Sequence, residues 1–441
     1  MLAESLHAAP IVQQAAARAR RLGRPVLASW TRPCAAADPI ASFSRSSDEF
    51  RSLWLQPERN AALVALGNAC VLEGSGAGRF EQVSTQWRDV LRDALIDSPP
   101  GAPPPIAFGG FSFDPLQPRS ALWQAFPDAQ MVVPAQLISI RQERAWLTTN
   151  VLLDTATMRD APPPNTARPA HEALSRQDWE SLVGSVSNGI RRDDLKVTKI
   201  VLARAEAVRP RRPIDAALRH LAASYPGCTT FAVARDQSCF LGATPERLIA
   251  LHGGVASTIA LAGSAARGQT PAEDEQFAHR LLTDPKERAE HQIVVDALRD
   301  GMAQVCARVV ADAEPRLQRL GNVQHLLTRI RGSVRPGRSV FDLVEHLHPT
   351  PAVGGHPRQP ALELIRAREA LDRGWYAAPI GWMQADGEGE FVVGLRSGLV
   401  QRDAATLFAG CGIVADSDPA AEAAEWGWKV QPMLAALGIE P

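Results

Sequence analysis

The chain has 441 residues, 45% of them hydrophobic, with a formal net charge of −1 and a pI near 6.8. That is enough for one large or two ordinary domains, and a near-neutral balance without a dense Lys/Arg run excludes a nucleic-acid or other polyanion binder. Six scattered cysteines without a CxxC pair argue against a zinc site or disulfide framework and fit a reducing, cytoplasmic setting, and no apolar run approaches the roughly 18–20 residues that cross a bilayer. The first residues, MLAESLHAAPIVQQAAARARRLG, lack a signal-peptide core; they are Arg- and Ala-rich, like an organelle transit peptide, but their apolar spacing suits an amphipathic helix.

Two Pro-rich breaks follow, DSPPGAPPP (97–105) and DAPPPNTARPA (160–170). The first precedes the strand-like IAFGGFSFDP (106–115). QMVVPAQLISI and RAWLTTNVLL read as a β-hairpin. The second break divides an N-terminal scaffold region, 1–165, from a catalytic part, 172–441. There DWESLVGSVSNGIRR is helical by period, VTKIVLARAEAV a strand, PIDAALRHLAASY a helix, and TTFAVAR and CFLGATPERLIAL strands. A long helix starts at Asp284. GWYAAPIGWMQ, the turn DGEGE and FVVGLRSGLV form a second hairpin, followed by TLFAGCGIVA and a last helix from Asp418. This mixture indicates an α/β (α+β) sandwich of mixed, mostly antiparallel sheets with helices outside.

The two Asp-Pro helix starts carry the chemistry. Asp284-Pro285 and Asp418-Pro419 place a good N-cap before a proline at the first helical position. Glu287 and Glu290 then share a face three residues apart, as do Glu422 and Glu425, with Lys429 four residues beyond. Each glutamate alone has a plain role near a helix N-terminus, and Glu287 completes a capping pattern with Asp284. If both helices face one cleft, however, carboxylates about 4 Å apart repel by about 4 kcal/mol per pair at an effective dielectric near 20. Such a cluster needs a cation, and all-oxygen ligation points to Mg²⁺.

Lys199 shares a strand face with Val197, Val201 and Ala203, where burial should favour its neutral form and suit it to act as a general base; its plain alternative is a lysine snorkelling from a strand end. Glu246, after a strand and before Arg247, is either a general acid or a turn carboxylate paired with that arginine. Arg396, read as lying inside a strand, either grips a substrate carboxylate or pairs with an internal acid. Gly410 and Gly412 let backbone N–H groups approach an anion. Tyr376 is one of only two tyrosines. His348 lies in the rigid loop HLHPTPAVGGHP, where a histidine is more often a structural hydrogen-bonder. No Ser-His-Asp arrangement, Walker loop or dinucleotide fingerprint is present.

These segments, in this order, resemble the chorismate-utilising enzymes: isochorismate synthase, salicylate synthase, anthranilate synthase component I and aminodeoxychorismate synthase component I. KIVLARAE, GATPERL, LAGSAARG, DPKERAEHQIVVD, VQHL, LHPTPAVGG, WYAAPIGW, LRSGLV and AGCGIVADSDPAAEAAE carry the resemblance from about residue 175 onward, with FGGFSFDP in the N-terminal half. The resemblance implies a large sandwich with a central cleft that binds Mg²⁺ and chorismate. It implies Glu290 and Glu425 as direct metal ligands, with Glu287 and Glu422 reaching the metal directly or through water. It implies Lys199 as the base that activates water at C2 and Glu246 as the acid for the departing C4 hydroxyl. Arg396, Tyr376, Gly412, Lys429, Ser264, His348 and Ala352 are implied as substrate-binding. Ala262 stands where aminodeoxychorismate synthases of one type carry a catalytic lysine, and Ala352 where anthranilate and salicylate synthases usually show threonine. With Lys199 these favour water as nucleophile, hence an isochorismate synthase feeding menaquinone or siderophore/salicylate biosynthesis. Salicylate synthase is the alternative, with anthranilate synthase component I or a non-catalytic homologue behind it. No glutaminase subunit and no membrane partner are expected, and the chain is expected to be a monomer or weak dimer. Cys411 replaces the alanine common in the GCG segment, with consequences expected for packing or oxidation.

Overall fold

The structure, a computed structural model, describes residues 10–154, 174–319 and 323–440, apart from the side chains of Ser264 and Val323. The break at 160–170 therefore lies outside the described residues. The amphipathic helix expected at the N-terminus spans Pro10–Leu22 and lays Val12, Ala15 and Ala19 on Val26 and Ala28 of the first strand.

Ten helices and two large sheets make up the described residues. One sheet runs through twelve strands and the other through ten; all pairs are antiparallel except Val26–Pro33 with Leu95–Asp97. The sheets meet face to face through one continuous apolar core, where Trp54 of the first sets its ring edge against Phe108 of the second, 6.1 Å between centroids. The N-terminal region contributes strands to both sheets. Phe50–Gln56 pairs with Thr229–Arg235, and Ile106–Phe111 pairs with Pro379–Gln384, so backbone ladders join the two regions of the chain.

Eight connections between consecutive described strands carry the chain from one sheet to the other, and three of them fall within segments that local periodicity reads as continuous. The segment 130–140, read as one hairpin arm, is two strands: Ala129–Val133 in the ten-stranded sheet and Gln136–Arg141 in the twelve-stranded one, which forms the true hairpin with Arg144–Leu153. Likewise 391–400 divides into Gly389–Val393 and Ser397–Gln401, and 239–251 into Ser238–Thr244 and Arg247–His252. These last two crossings lie side by side. Val393 donates its N–H to the Glu246 carbonyl at 3.0 Å, and Ala243 donates to the Arg396 carbonyl at 3.3 Å. Arg396 is thus not inside a strand. It occupies the crossing with φ +47°, a left-handed conformation that ends one ladder and starts the other.

A buried ion pair ties the surrounding elements together. Arg373 grips both oxygens of Glu369 at 2.6 Å and donates to the carbonyls of Val353 (2.9 Å) and Val201 (2.7 Å). Glu369 in turn accepts the Ala203 N–H at 2.7 Å. Two side chains from one short segment therefore satisfy backbone groups of strand Lys199–Val208 and of the 346–357 loop. Both side chains are almost wholly buried, so removing one leaves its partner uncompensated. Glu369→Gln is expected to lose about 3–5 kcal/mol of unfolding free energy; urea denaturation followed by tryptophan fluorescence checks this, and an unshifted midpoint contradicts it.

Candidate active site

Both Asp-Pro helices form as expected. Asp284 accepts the N–H groups of Lys286 and Glu287 at the start of Pro285–Ala303, and Asp418 accepts that of Ala421 at the start of Pro419–Ala436. Glu287, Glu290, Glu422 and Glu425 all line one cavity of about 480 Å³.

The protein's own lysines balance part of this charge. Lys199 lies opposite the first helix, its Nζ 3.6 Å from Glu290 Oε2, and its side chain is only 12% exposed. Lys429 lies on the second helix, its Nζ 2.7 Å from Glu425 Oε1 and 2.9 Å from the Gly410 carbonyl. Burial works against the Lys429 ammonium, but Cys411, Glu425 and Tyr376 outweigh it and hold it above the ordinary lysine range. Glu422 is held differently. Ser417 donates to its Oε1 at 2.8 Å, while Oε2 is buried without a hydrogen-bond partner. Burial raises its pKa, helped by the charges of Glu425 and Glu290 and opposed by Ser417.

Glu246 enters the cavity from its sheet crossing. Burial pushes its carboxyl up to about 7, against the pull of the Lys199 and Lys429 ammoniums and the Thr350 hydroxyl. It is not the arginine-paired turn carboxylate of the plain alternative, for Arg247 feels Glu390 instead. Arg396 lines the same cavity from the adjacent crossing and makes no ion pair with a carboxylate among the described residues. Tyr376, buried, stacks on Phe408 with ring centroids 5.2 Å apart, and its hydroxyl reaches the strand Ala404–Ile413 beside Gly410. Ala262 and Ala352 line the cavity too.

Two glycines have positional roles. Gly263, at φ +74° in a β-bulge of Val255–Ala266, brings that strand against Glu287; a Cβ there would sit 3.1 Å from Glu287 Oε2. Gly412, opposite Val201 in the ladder, gives Lys199 its room. A Cβ on it would lie 2.7 Å from Lys199 Cε.

Two expectations change, and a third falls on a side chain outside the described residues. His348 does not line the cavity: it is buried behind the loop, with Nε2 3.0 Å from the Phe113 carbonyl and its ring edge-on to Phe113. Its chemistry is structural because a desolvated ring among arginines is held neutral. Cys411 is fully buried and faces the last helix, its thiol donating to the Glu422 carbonyl at 3.4 Å. Burial pushes that thiol up to about 12, which removes the nucleophilic thiolate that oxidation needs. Ser264 pairs in register with His325, but its side chain lies outside the described residues.

Residue-level reading missed His325 and Arg373, which both line the cavity. Burial, with Arg396 and Lys429 nearby, pushes His325 down to about 4, so a neutral imidazole is presented. An imidazole inside the apolar strand Val323–Val334 was the available signal.

A lysine and a protonated carboxyl facing one cavity, with oxygen donors and cations for an anionic ligand, define an acid–base enzyme site for a small carboxylate. A family model described as chorismate binding enzyme matches residues 12–438, and the chain belongs to that family. It is 37% identical to "Salicylate biosynthesis isochorismate synthase" of Pseudomonas aeruginosa, covering 99% of this chain and 95% of that protein. It is 34% identical to "Isochorismate synthase MenF" of Bacillus subtilis over 96% of each chain. MenF, the menaquinone-specific isochorismate synthase from Escherichia coli, shares the fold with a TM-score of 0.76 at 23% identity, covering 97% of this chain and 99% of that one.

Two outcomes follow from the geometry. Gly412→Ala is expected to displace the Lys199 side chain, lowering turnover about a hundredfold while leaving the melting temperature within about 3 °C of the parent; steady-state assays and calorimetry check both. Glu246, with a folded pKa near 7 against an ordinary 4.5, supports the fold below its unfolded pKa and loses that support as pH rises through 7. The melting temperature of Glu246→Gln is therefore expected to rise relative to the parent between pH 5 and pH 8, and a constant difference contradicts the assignment.

Proposed function

We propose that the protein is an isochorismate synthase, adding water at C2 of chorismate with loss of the C4 hydroxyl. The observation that carries this reading is the shared cavity of Lys199 and Glu246, the latter a carboxyl that keeps its proton to about pH 7. Lys199 is the base in this reading, taking a proton from water as the oxygen bonds to C2. Both conjugated ring double bonds shift, C1=C2 to C1=C6 and C5=C6 to C4=C5, the C4–O bond breaks, and Glu246 gives its proton to the departing hydroxyl, which leaves as water. Arg396, Tyr376, Lys429 and the backbone at Gly412 receive the substrate's carboxylates. The names of the two curated relatives support the assignment, as do the small residues Ala262 and Ala352, which leave room for water and supply no amine.

Mg²⁺ is the cofactor in this reading. Its fit rests on an oxygen-rich donor set and on the buried, unpartnered Glu422 Oε2. Glu290 and Glu425 would hold it directly, and Glu287 and Glu422 directly or through water. When bound, it supplies positive charge to the substrate's ring carboxylate. The product feeds menaquinone or siderophore and salicylate biosynthesis in the cytoplasm, with no glutaminase subunit.

Incubating the purified protein with chorismate and Mg²⁺ is expected to yield isochorismate by chromatography, with activity removed by EDTA and restored by Mg²⁺. Lys199→Ala is expected to lose about 10²–10⁴ in turnover. Salicylate released without an added lyase, or anthranilate formed with ammonium, overturns the reading.

A further inference from the structure

The crossing that carries Glu246 has open space on two sides. Pro245 lines the active-site cavity and also a second cavity of about 150 Å³, which Thr244 and Arg247 line with Gln56, Thr229 and Glu390. Packing alone therefore does not fix the backbone of the acid. The peptide plane between Pro245 and Glu246 turns on two torsions, ψ of Pro245 and φ of Glu246. The proline ring sets its own φ and confines Thr244 before it to extended backbone. The Glu246 N–H lies in that plane and donates to Thr244 Oγ1 at 3.2 Å. On the far side of its Cα, the Glu246 carbonyl accepts the Val393 N–H at 3.0 Å. Thr244 is only 1% exposed and sits in register opposite Thr229, so the acceptor is itself anchored. The neighbouring crossing has a similar device: Ser397, also buried, donates to the Gly394 carbonyl at 3.0 Å across the turn that holds Arg396.

We propose that Thr244 is a positioning residue for Glu246: its hydroxyl oxygen, by accepting the Glu246 N–H, fixes the direction in which the acid's side chain leaves the backbone. This rests on the acid role assigned above. Without the acceptor, the Pro245–Glu246 plane is free to turn, and nothing packed behind Pro245 opposes it. The carboxyl then swings toward the open cavity, away from the place where a leaving hydroxyl would meet it, and loses part of the burial that holds its proton. The charged and titratable groups around Glu246 are Lys199 from its strand, Glu290 from the first Asp-Pro helix, Glu425 and Lys429 from the last, His325 from strand Val323–Val334 and Arg396 on the adjacent crossing, with the Thr350 hydroxyl from the 346–357 loop. A substitution at Thr244 leaves all of them in the chain, so a change in the acid's titration reports its own displacement.

The test compares Thr244→Val, which keeps the shape and removes the acceptor, with Thr244→Ser, which keeps the acceptor. Thr244→Val is expected to lower kcat about tenfold with KM within about twofold of the parent, and to move the alkaline limb of the pH–kcat/KM profile to lower pH. Thr244→Ser should restore both. In a Glu246→Gln background Thr244→Val should lower kcat no further, because its effect passes through the acid. Independently of turnover, ¹³C-carboxyl NMR of glutamate-labelled protein should show the resonance absent in Glu246→Gln titrating at lower pH in Thr244→Val than in the parent. If Thr244→Val does not fold, Thr244→Ala, which also lacks the acceptor, is read against Thr244→Ser in the same way. An unmoved Glu246 titration overturns the inference whatever the enzyme makes. So does a kcat loss that Thr244→Ser fails to repair, or one of equal size in the Glu246→Gln background. Absence of isochorismate from the parent protein counts against the proposed reaction, while the NMR comparison still decides whether Thr244 positions Glu246.

Discussion

Two ammonium–carboxylate contacts, Lys199 with Glu290 and Lys429 with Glu425, let a single cavity contain four glutamates. Unpaired carboxylates at contact distance would oppose one another by about 4 kcal/mol per pair at an effective dielectric near 20, comparable with much of a domain's net stability. The lysines relieve part of that and leave the rest as attraction for a further cation. Glu422, whose one oxygen takes Ser417 and whose other takes nothing, is where the remaining imbalance is visible. Compensation within the cluster is therefore uneven: Glu290 and Glu425 each face a lysine, and Glu422 keeps an oxygen without a hydrogen-bond partner.

The scaffold delivers these groups by ordinary means. Asp-Pro starts fix where each helix begins, so glutamates three residues apart project from the first turns, where the helix dipole favours them. Antiparallel register places Gly412 beside Val201 and so clears a path for the neighbouring lysine. The paired sheet crossings are the less ordinary feature. Each interrupts a ladder at the cavity wall, and the hydrogen bonds between them keep Glu246 and Arg396 at fixed separation along the chain path. Arg373 and Glu369 then lock the strand that carries Lys199 to the 346–357 loop. Side chains held this way start from a set geometry.

The helix starts, the Lys199 strand and the glutamate spacing were legible in the sequence because each depends on residues within one or two turns of one another. What periodicity cannot show is which sheet a strand joins. Segments 239–251 and 391–400 are mostly apolar on either side of a short polar centre, as strands buried on both faces are, and they read as continuous for that reason. Arg396 was misplaced by the same cause. His348 shows another limit. A histidine in a Pro/Gly loop draws attention by its chemistry, but orientation decides the role, and the imidazole turns back to the Phe113 carbonyl. Orientation within a loop is set by long-range partners such as Arg358 and Arg373, which no local pattern contains.

The carboxyls of this cavity are one chemical type in two environments. Glu290 and Glu425 each have a lysine Nζ nearby, at 3.6 and 2.7 Å. Glu246 feels the same two lysines without forming an ion pair with either, and burial prevails, so its proton stays to about pH 7. The same two cations face both kinds of carboxyl: each is paired with a helix glutamate, and each draws the Glu246 pKa down without overcoming burial. Strand Ala404–Ile413 serves both lysines two residues apart, leaving room for Lys199 at the bare backbone of Gly412 and accepting from Lys429 at the Gly410 carbonyl.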